Sequence, residues 1–478
     1  MSTKTVIVHG WSDTSESFHS IKEYLVGFGS LVDEIYFADY QSLEDSVTFN
    51  DIVDGFNDQM IKRSLIAANG ETSDELNLIV HSTGGLVVRH WISHFYRNKV
   101  GTCPVKRIIM LAPANFGSTL AHRGRSFFGR IGKGQKDLKH FGEVGTNLLL
   151  GLELGSPYLW WLAEQDLLSE THFYGRSRIQ VTILVGADGY DGLLSLISKD
   201  GTDGVVVIPG TSLDVRKYIL DFCPLPGYHE AYSQLKVFTS DSSLDVAFGI
   251  LPGLNHSTIV NHPDYKLGNK GHPYHSVLNS ISRALTTKTE AAFVEWVAYL
   301  RDKTEEVYAN NLHQRYQQFV FRALDDFNKP IMDYYITFGI VAGERKGATY
   351  KETIFDESDL TDVEHELSDK WEKCFTDNFH RNTQDPSYRQ AIFKVSDARS
   401  VLDEAQAKLG HYLVVMWIDV PEVDRGITYA ISRKQVVVVY DSQSSTGATP
   451  DSFLFENNTT MVELRVDRKT KYVTITKA

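Results

Sequence analysis

Leu78-Ile79-Val80-His81-Ser82-Thr83-Gly84-Gly85-Leu86-Val87 decides the reading of this chain. An apolar strand runs into Ser82, and a helix begins after the two glycines. A sharp strand-to-helix turn of this kind lifts a serine hydroxyl from a sheet edge and sets it at a helix N-terminus. The backbone N–H after the serine then faces any negative charge that develops on a carbonyl oxygen under attack. Small residues flank such a turn because its strained backbone leaves little room. Gly84 meets that need on one side, whereas Val80 stands where the usual G-x-S-x-G pattern has its first glycine. A serine that only capped a helix would not need this context.

The surroundings repeat one rhythm. Thr5–Val8, Val32–Phe37, Leu76–Val80, Arg107–Leu111 and Val181–Val185 are short Val/Ile/Leu-rich runs, read as strands buried on both faces. Amphipathic stretches such as Ser17–Phe28 and Ile52–Ala68 lie between them. The alternation predicts an α/β fold, a mostly parallel sheet covered by helices. His9-Gly10-Trp11 ends the first strand. Gly10 lets the chain approach Ser82, and the N–H groups of Trp11 and Thr83 are the candidate oxyanion donors.

V-I-V-H-G-W (6–11), I-V-H-S-T-G-G-L-V-V-R (79–89) and L-A-P-A-N-F-G-S-T-L-A (111–121), with Asp203 in D-G-V-V and His256 in N-H-S, resemble the lipase and GPI-inositol-deacylase-like branch of the α/β-hydrolases. The resemblance covers about 285 N-terminal residues. It implies an α/β-hydrolase fold, a lid or cap insertion, and carboxylic-ester hydrolysis.

A serine hydroxyl needs a base within hydrogen-bond reach. In this fold the order is Ser, then acid, then His. Asp188, Asp191 and Asp203 compete for the acid, and D-G-V-V resembles the acid segment of lipase-like members, which favours Asp203. The base should sit on the loop after the last sheet strand, Ala247–Leu251, and His256 does. His262, His272 and His275 are rivals, His275 chief among them. His81 reads as a structural residue filling the turn. The catalytic set is therefore Ser82, Asp203 and His256. No cofactor and no metal is expected; Asp188 and Asp191 are weak evidence for calcium.

Residues 115–171 interrupt the rhythm as an insertion above the sheet. Its Leu148–Leu168 stretch is unusually apolar, and Trp160 and Trp161 are weak candidates for substrate contact. Either a lid that meets lipid or a cap packed on the core explains it. A basic cluster, Arg123, Arg125, Arg130, Lys133, Lys136 and Lys139, could greet anionic head groups or be a solvated loop.

We expect a catalytic domain over 1–287, a helical connector over 288–329 and a β-rich, sandwich-like domain over 330–478. The last offers no Ser, Cys or metal constellation. It could cover the catalytic domain, form a dimer contact, or dock a membrane, a partner chain or a delivery apparatus, as in lipase-like toxin effectors.

The bulk numbers narrow the class. The chain has 478 residues and a formal charge of −13, from 48 Lys plus Arg against 61 Asp plus Glu. That balance argues against nucleic-acid binding. Three dispersed cysteines argue for free thiols in a reducing compartment. Neither a cleavable signal nor a membrane span is read, so a cytoplasmic protein is expected, with signal-independent export open. The substrate expectation is a lipid or other acyl ester, with membrane-surface contact through the lid or C-terminal domain. An acyltransferase, a short-chain esterase with a structural cap and a catalytically dead interaction protein are the rival readings.

Overall fold

In the computed structural model, the described residues are 3–11, 13–27, 32–72, 74–121, 145–190, 200–223, 234–239, 245–343, 360–376, 379–421, 427–429, 437–443 and 454–470. They form two compact units. Unit 1 comprises Met1–Val215 and Ser240–Gln314; unit 2 comprises Arg216–Thr239 and Arg315–Ala478.

Unit 1 is built on strands β1 (Thr3–Val8), β2 (Glu34–Ala38), β3 (Glu75–His81), β4 (Val105–Leu111) and β5 (Gln180–Gly186). Two strands follow in sequence, β6 (Val215–Asp221) and β7 (Gln234–Thr239), and then β8 (Val246–Leu251). Six of these make one sheet in the order β2-β1-β3-β4-β5-β8. All five pairings in it are parallel. The central strands are buried along their length, which explains their unbroken apolar runs.

Helices α1 (His19–Gly27), α2 (Phe49–Lys62), α3 (Gly84–Tyr96), α4 (Thr146–Leu152), α5 (Pro157–Asp166), α6 (Pro273–Thr286) and α7 (Glu290–Ala309) complete the unit. Thr48 and Asp51 form a reciprocal cap at the start of α2. The helix then stops at Lys62, short of the expected Ala68, because Ser64 turns to φ 55°. Within α7, Trp296 donates to the Thr182 hydroxyl of β5 at 3.0 Å, so this helix packs on the sheet of unit 1. The α/β-hydrolase architecture is present, and the expected 287/288 boundary falls between two helices of one unit.

In unit 2 a six-stranded sheet runs β11-β12-β9-β16-β6-β7. Its further strands are β9 (Tyr316–Asp325), β11 (His380–Arg381), β12 (Tyr388–Lys394) and β16 (Thr459–Val466). A second sheet pairs β10 (Tyr335–Ala342), β13 (Tyr412–Asp419) and β15 (Val437–Asp441), all antiparallel. Short β14 (Ile427–Tyr429) pairs with β17 (Arg468–Thr470). Helices α8 (Asp362–Glu372) and α9 (Val395–Leu409) share one core with both main sheets, through Trp371, Leu402, Phe319, Phe338 and Val414.

Two expectations change here. The helical connector expected over 288–329 holds α7, yet its Tyr316–Asp325 stretch is a central strand. Phe319, Phe321 and Ala323 recur at period two toward the core. Because β9 is paired on both sides and almost wholly buried, apolar residues on its other face blur the alternation. Residues 216–239, expected within the catalytic domain, instead supply β6 and β7 to unit 2. Tyr218, Leu220 and Phe222 are buried while the residues between them are only partly so, the pattern of a half-buried antiparallel strand. No described helix is long and apolar enough to cross a membrane.

Candidate active site

Ser82 follows β3 directly and adopts φ 53°, a conformation that costs a non-glycine residue about 1–3 kcal/mol. Its neighbours permit the turn. A Cβ on Gly84 would sit 2.7 Å from the Val8 carbonyl oxygen and 2.8 Å from that of His9. A Cβ on Gly10 would sit 2.8 Å from Cβ of Ser82. Glycine is therefore required where β1 passes the turn. The Ser82 N–H donates to the Leu111 carbonyl at 3.1 Å, tying the turn to the end of β4. Val80, in place of a first glycine, is accommodated as a fully buried residue of β3.

His256 Nε2 lies 3.1 Å from Ser82 Oγ, and His256 Nδ1 lies 2.9 Å from Asp203 Oδ2. Three segments far apart in sequence thus form one hydrogen-bonded row. The Asp203 carboxylate is fully buried, and its second oxygen accepts the N–H groups of Val205 at 3.0 Å and Val206 at 2.8 Å. Gly204, at φ +97°, makes this turn possible; a Cβ there would strike the Tyr190 ring at 2.7 Å. The His256 loop crosses β5 at Gly186, where a Cβ would meet the Leu254 carbonyl oxygen at 2.2 Å. Asn255 then closes the loop by accepting from Ser257 and Thr258. The His256 N–H donates to the Asp203 carbonyl at 3.0 Å, so base and acid are also joined through the backbone.

The rival residues have other partners. His275 is buried on α6 and bonds the Tyr265 hydroxyl at 3.0 Å. His272 caps α6, accepting from the Tyr274 N–H. His262 stacks edge-on against His272. Asp188 uses its backbone N–H to hold the Leu254 carbonyl at 3.0 Å. Asp191 lies outside the described residues, as does the basic cluster from Arg123 to Lys139. Trp11 follows Gly10, and Thr83 is buried at the head of α3.

Described parts of the insertion are α4 and α5. Leu148, Leu152, Leu159, Trp160 and Leu162 are all buried, so packing accounts for most of the apolar excess. Trp160 donates to Glu164 at 2.9 Å. Trp161 is 39% exposed and lies against His90 at 4.9 Å between ring centroids. Sequence reading passed over the pair that anchors this region. Arg89 of α3 grips Asp166 of α5 at 2.7 and 2.9 Å, with both side chains fully buried. Arg89 also donates to the Asn115 carbonyl, and the Tyr174 hydroxyl donates to Asp166. Arg89 lies in the second turn of α3, just after the elbow, but no local signal named its partner.

No family model matches this chain, and no curated protein matches it. Among solved structures, phospholipase PlaB from Legionella pneumophila superposes with a TM-score of 0.76 at 25% identity, covering 99% of this chain and 96% of that one. A second structure, PlaB in complex with thio-NAD, gives a TM-score of 0.75 at 24% identity with the same coverage. The similarity thus spans both units.

Proposed function

We propose that this chain is a carboxylic-ester hydrolase of lipase or phospholipase type, working through Ser82, His256 and Asp203. The observation that carries the reading is the 3.1 Å approach of His256 Nε2 to the hydroxyl of Ser82 on its strained turn. The end-to-end likeness to a phospholipase supports a lipid ester as substrate.

His256 takes the Ser82 proton as the oxygen attacks the ester carbonyl. Asp203 holds the Nδ1–H tautomer and stabilises the imidazolium that forms. The N–H groups of Trp11 and Thr83 stabilise the oxyanion, each worth about 2.7–4 kcal/mol in the transition state. His256 returns the proton to the leaving alcohol, and water then releases the acyl-enzyme. Helices α4 and α5 bury their apolar faces as a cap would, and exposed Trp161 remains the candidate for substrate contact. Surface contact with a bilayer belongs to this reading.

The test is hydrolysis of phospholipid vesicles and of soluble short-chain esters, with fluorophosphonate labelling of the same sample. Ser82→Ala is expected to abolish turnover and labelling with the melting temperature retained. Retained turnover in a pure Ser82→Ala sample refutes the assignment. A preference for soluble short-chain esters over vesicles refutes the lipid half alone.

A further inference from the structure

We propose that His81 is a positioning residue for His256, pinning the backbone of the base-bearing loop so that the imidazole keeps its reach to Ser82. The inference rests on the triad reading above.

His81 is the last residue of β3 and is buried at 6% exposure. Its Nε2 lies 3.1 Å from the carbonyl oxygen of His256. A carbonyl oxygen only accepts, so Nε2 carries the hydrogen and donates. The two rings also pack, with centroids 4.8 Å apart and planes tilted by 43°. His256 is therefore held at both of its main-chain polar groups. Its N–H is held by the Asp203 carbonyl at 3.0 Å, and its carbonyl by His81. The acid segment grips one side of the base and the nucleophile strand grips the other.

Nδ1 of His81 is buried, makes no hydrogen bond among the described residues, and faces the Asp13 carboxylate at 3.8 Å. Asp13 is itself fixed by the Ser17 hydroxyl and by the Thr14 N–H. Gly10 leaves room for the ring, since a Cβ there would come within 3.2 Å of Nδ1. Burial pushes the His81 imidazole below its ordinary pKa, against the opposing pull of Asp13, so near neutral pH the ring keeps a single hydrogen. An apolar side chain would fill the same space without the cost of burying an imidazole. The bond to His256 offsets that cost and gives the polar residue a purpose.

The experiment is steady-state kinetics and fluorophosphonate labelling rates on the full chain. His81→Gln keeps an amide donor near the Nε2 position, whereas His81→Leu fills the volume without one. His81→Leu is expected to lower kcat about 10–100-fold with KM nearly unchanged, as small misplacements of a reacting group do. Labelling should slow in parallel. His81→Gln should recover kcat to within about 5-fold of the natural chain, again without moving KM. Equal kcat for the Gln and Leu variants, or full kcat in the Leu variant, overturns the clamp. Should His81→Leu fail to fold, His81→Phe, which keeps a flat ring without the donor, takes its place, and full kcat there overturns the clamp. A natural chain that takes no label and turns over no ester sinks the triad reading itself. A labelled natural chain beside an equally fast Leu variant sinks only the clamp.

Discussion

In unit 1 the Asp203 carboxylate accepts two backbone N–H groups on one oxygen, at 3.0 and 2.8 Å, and meets His256 with the other at 2.9 Å. In unit 2 the buried Asp325 is anchored in the same way. One oxygen accepts the N–H groups of Phe327 at 3.0 Å and Lys329 at 2.7 Å, and the other meets Arg468 at 3.1 Å. The anchoring device is shared, and the partner differs. Arginine stays protonated throughout the accessible pH range, so Asp325 can only hold a turn. Imidazole gains and loses a proton near neutrality, so in the proposed triad the aspartate fixed behind it is the group that orients and stabilises the base. Chemistry follows from what the carboxylate faces.

Backbone strain divides along the same line. Outside glycine, unit 2 has positive φ at Asn328 and Asn457, and asparagine tolerates that region well. Unit 1 has it at Ser64, Ser82, Ala112 and Asn311, and of these Ser82 and Ala112 directly follow two adjacent strands of the parallel sheet. Strain collects where the proposed nucleophile stands.

The largest effect should break the symmetry of the two aspartates. Asp203→Asn is expected to lower kcat/KM by about 10⁴-fold with the fold intact. Asp325→Asn should leave ester turnover within a few-fold and lower unfolding free energy by about 1–3 kcal/mol. Similar activity losses in both would erase the distinction. Next comes the ion pair that ties the insertion to the elbow helix. Arg89→Met strands Asp166 in the core and should cost about 3–5 kcal/mol in denaturant unfolding. A loss under about 1 kcal/mol would show the pair to be dispensable.

A smaller effect tests the strain. Ala112→Gly relieves φ 43° and should raise stability by about 1 kcal/mol, measured by thermal melting. A clear destabilisation would mean that the Ala112 methyl matters more than its backbone angle.

The smallest effect belongs to the surface of unit 2. Lys370 and Lys408 hold the Glu366 carboxyl at a pKa of about 2, below its ordinary 4.5. As pH falls through that window the unfolded chain takes up the proton first. The contribution is therefore present above pH 4.5 and lost as pH falls through about 2. Exposure and salt keep it small. Lys408→Ala should flatten the acid slope of the unfolding midpoint at low salt; an unchanged slope would discount the network.

Much of the site was legible because its determinants are local. The Ser82 turn needs glycine at 84, the Asp203 turn needs glycine at 204, and both needs are written beside the residue they serve. The β6 alternation at Tyr218, Leu220 and Phe222 was also present in sequence, but its place in chain order suggested the wrong sheet. β9 misled for the opposite reason, since a strand buried on both faces loses its period. Arg89 with Asp166, and His81 with Asp13, carry no local pattern at all. Each pair joins segments brought together only by folding.

Sequence by itself determined the alternating strands and helices and the turn at Ser82, because periodicity and turn chemistry act over a few residues, while the preference for Asp203 came from the resemblance of its D-G-V-V segment. Tertiary structure alone decided which sheet took residues 216–239, which buried arginine found its aspartate, and which imidazole came within 3.1 Å of the Ser82 hydroxyl. Hydrogen bonds and buried charges depend on distances between segments, and a linear chain does not specify those distances until it is packed.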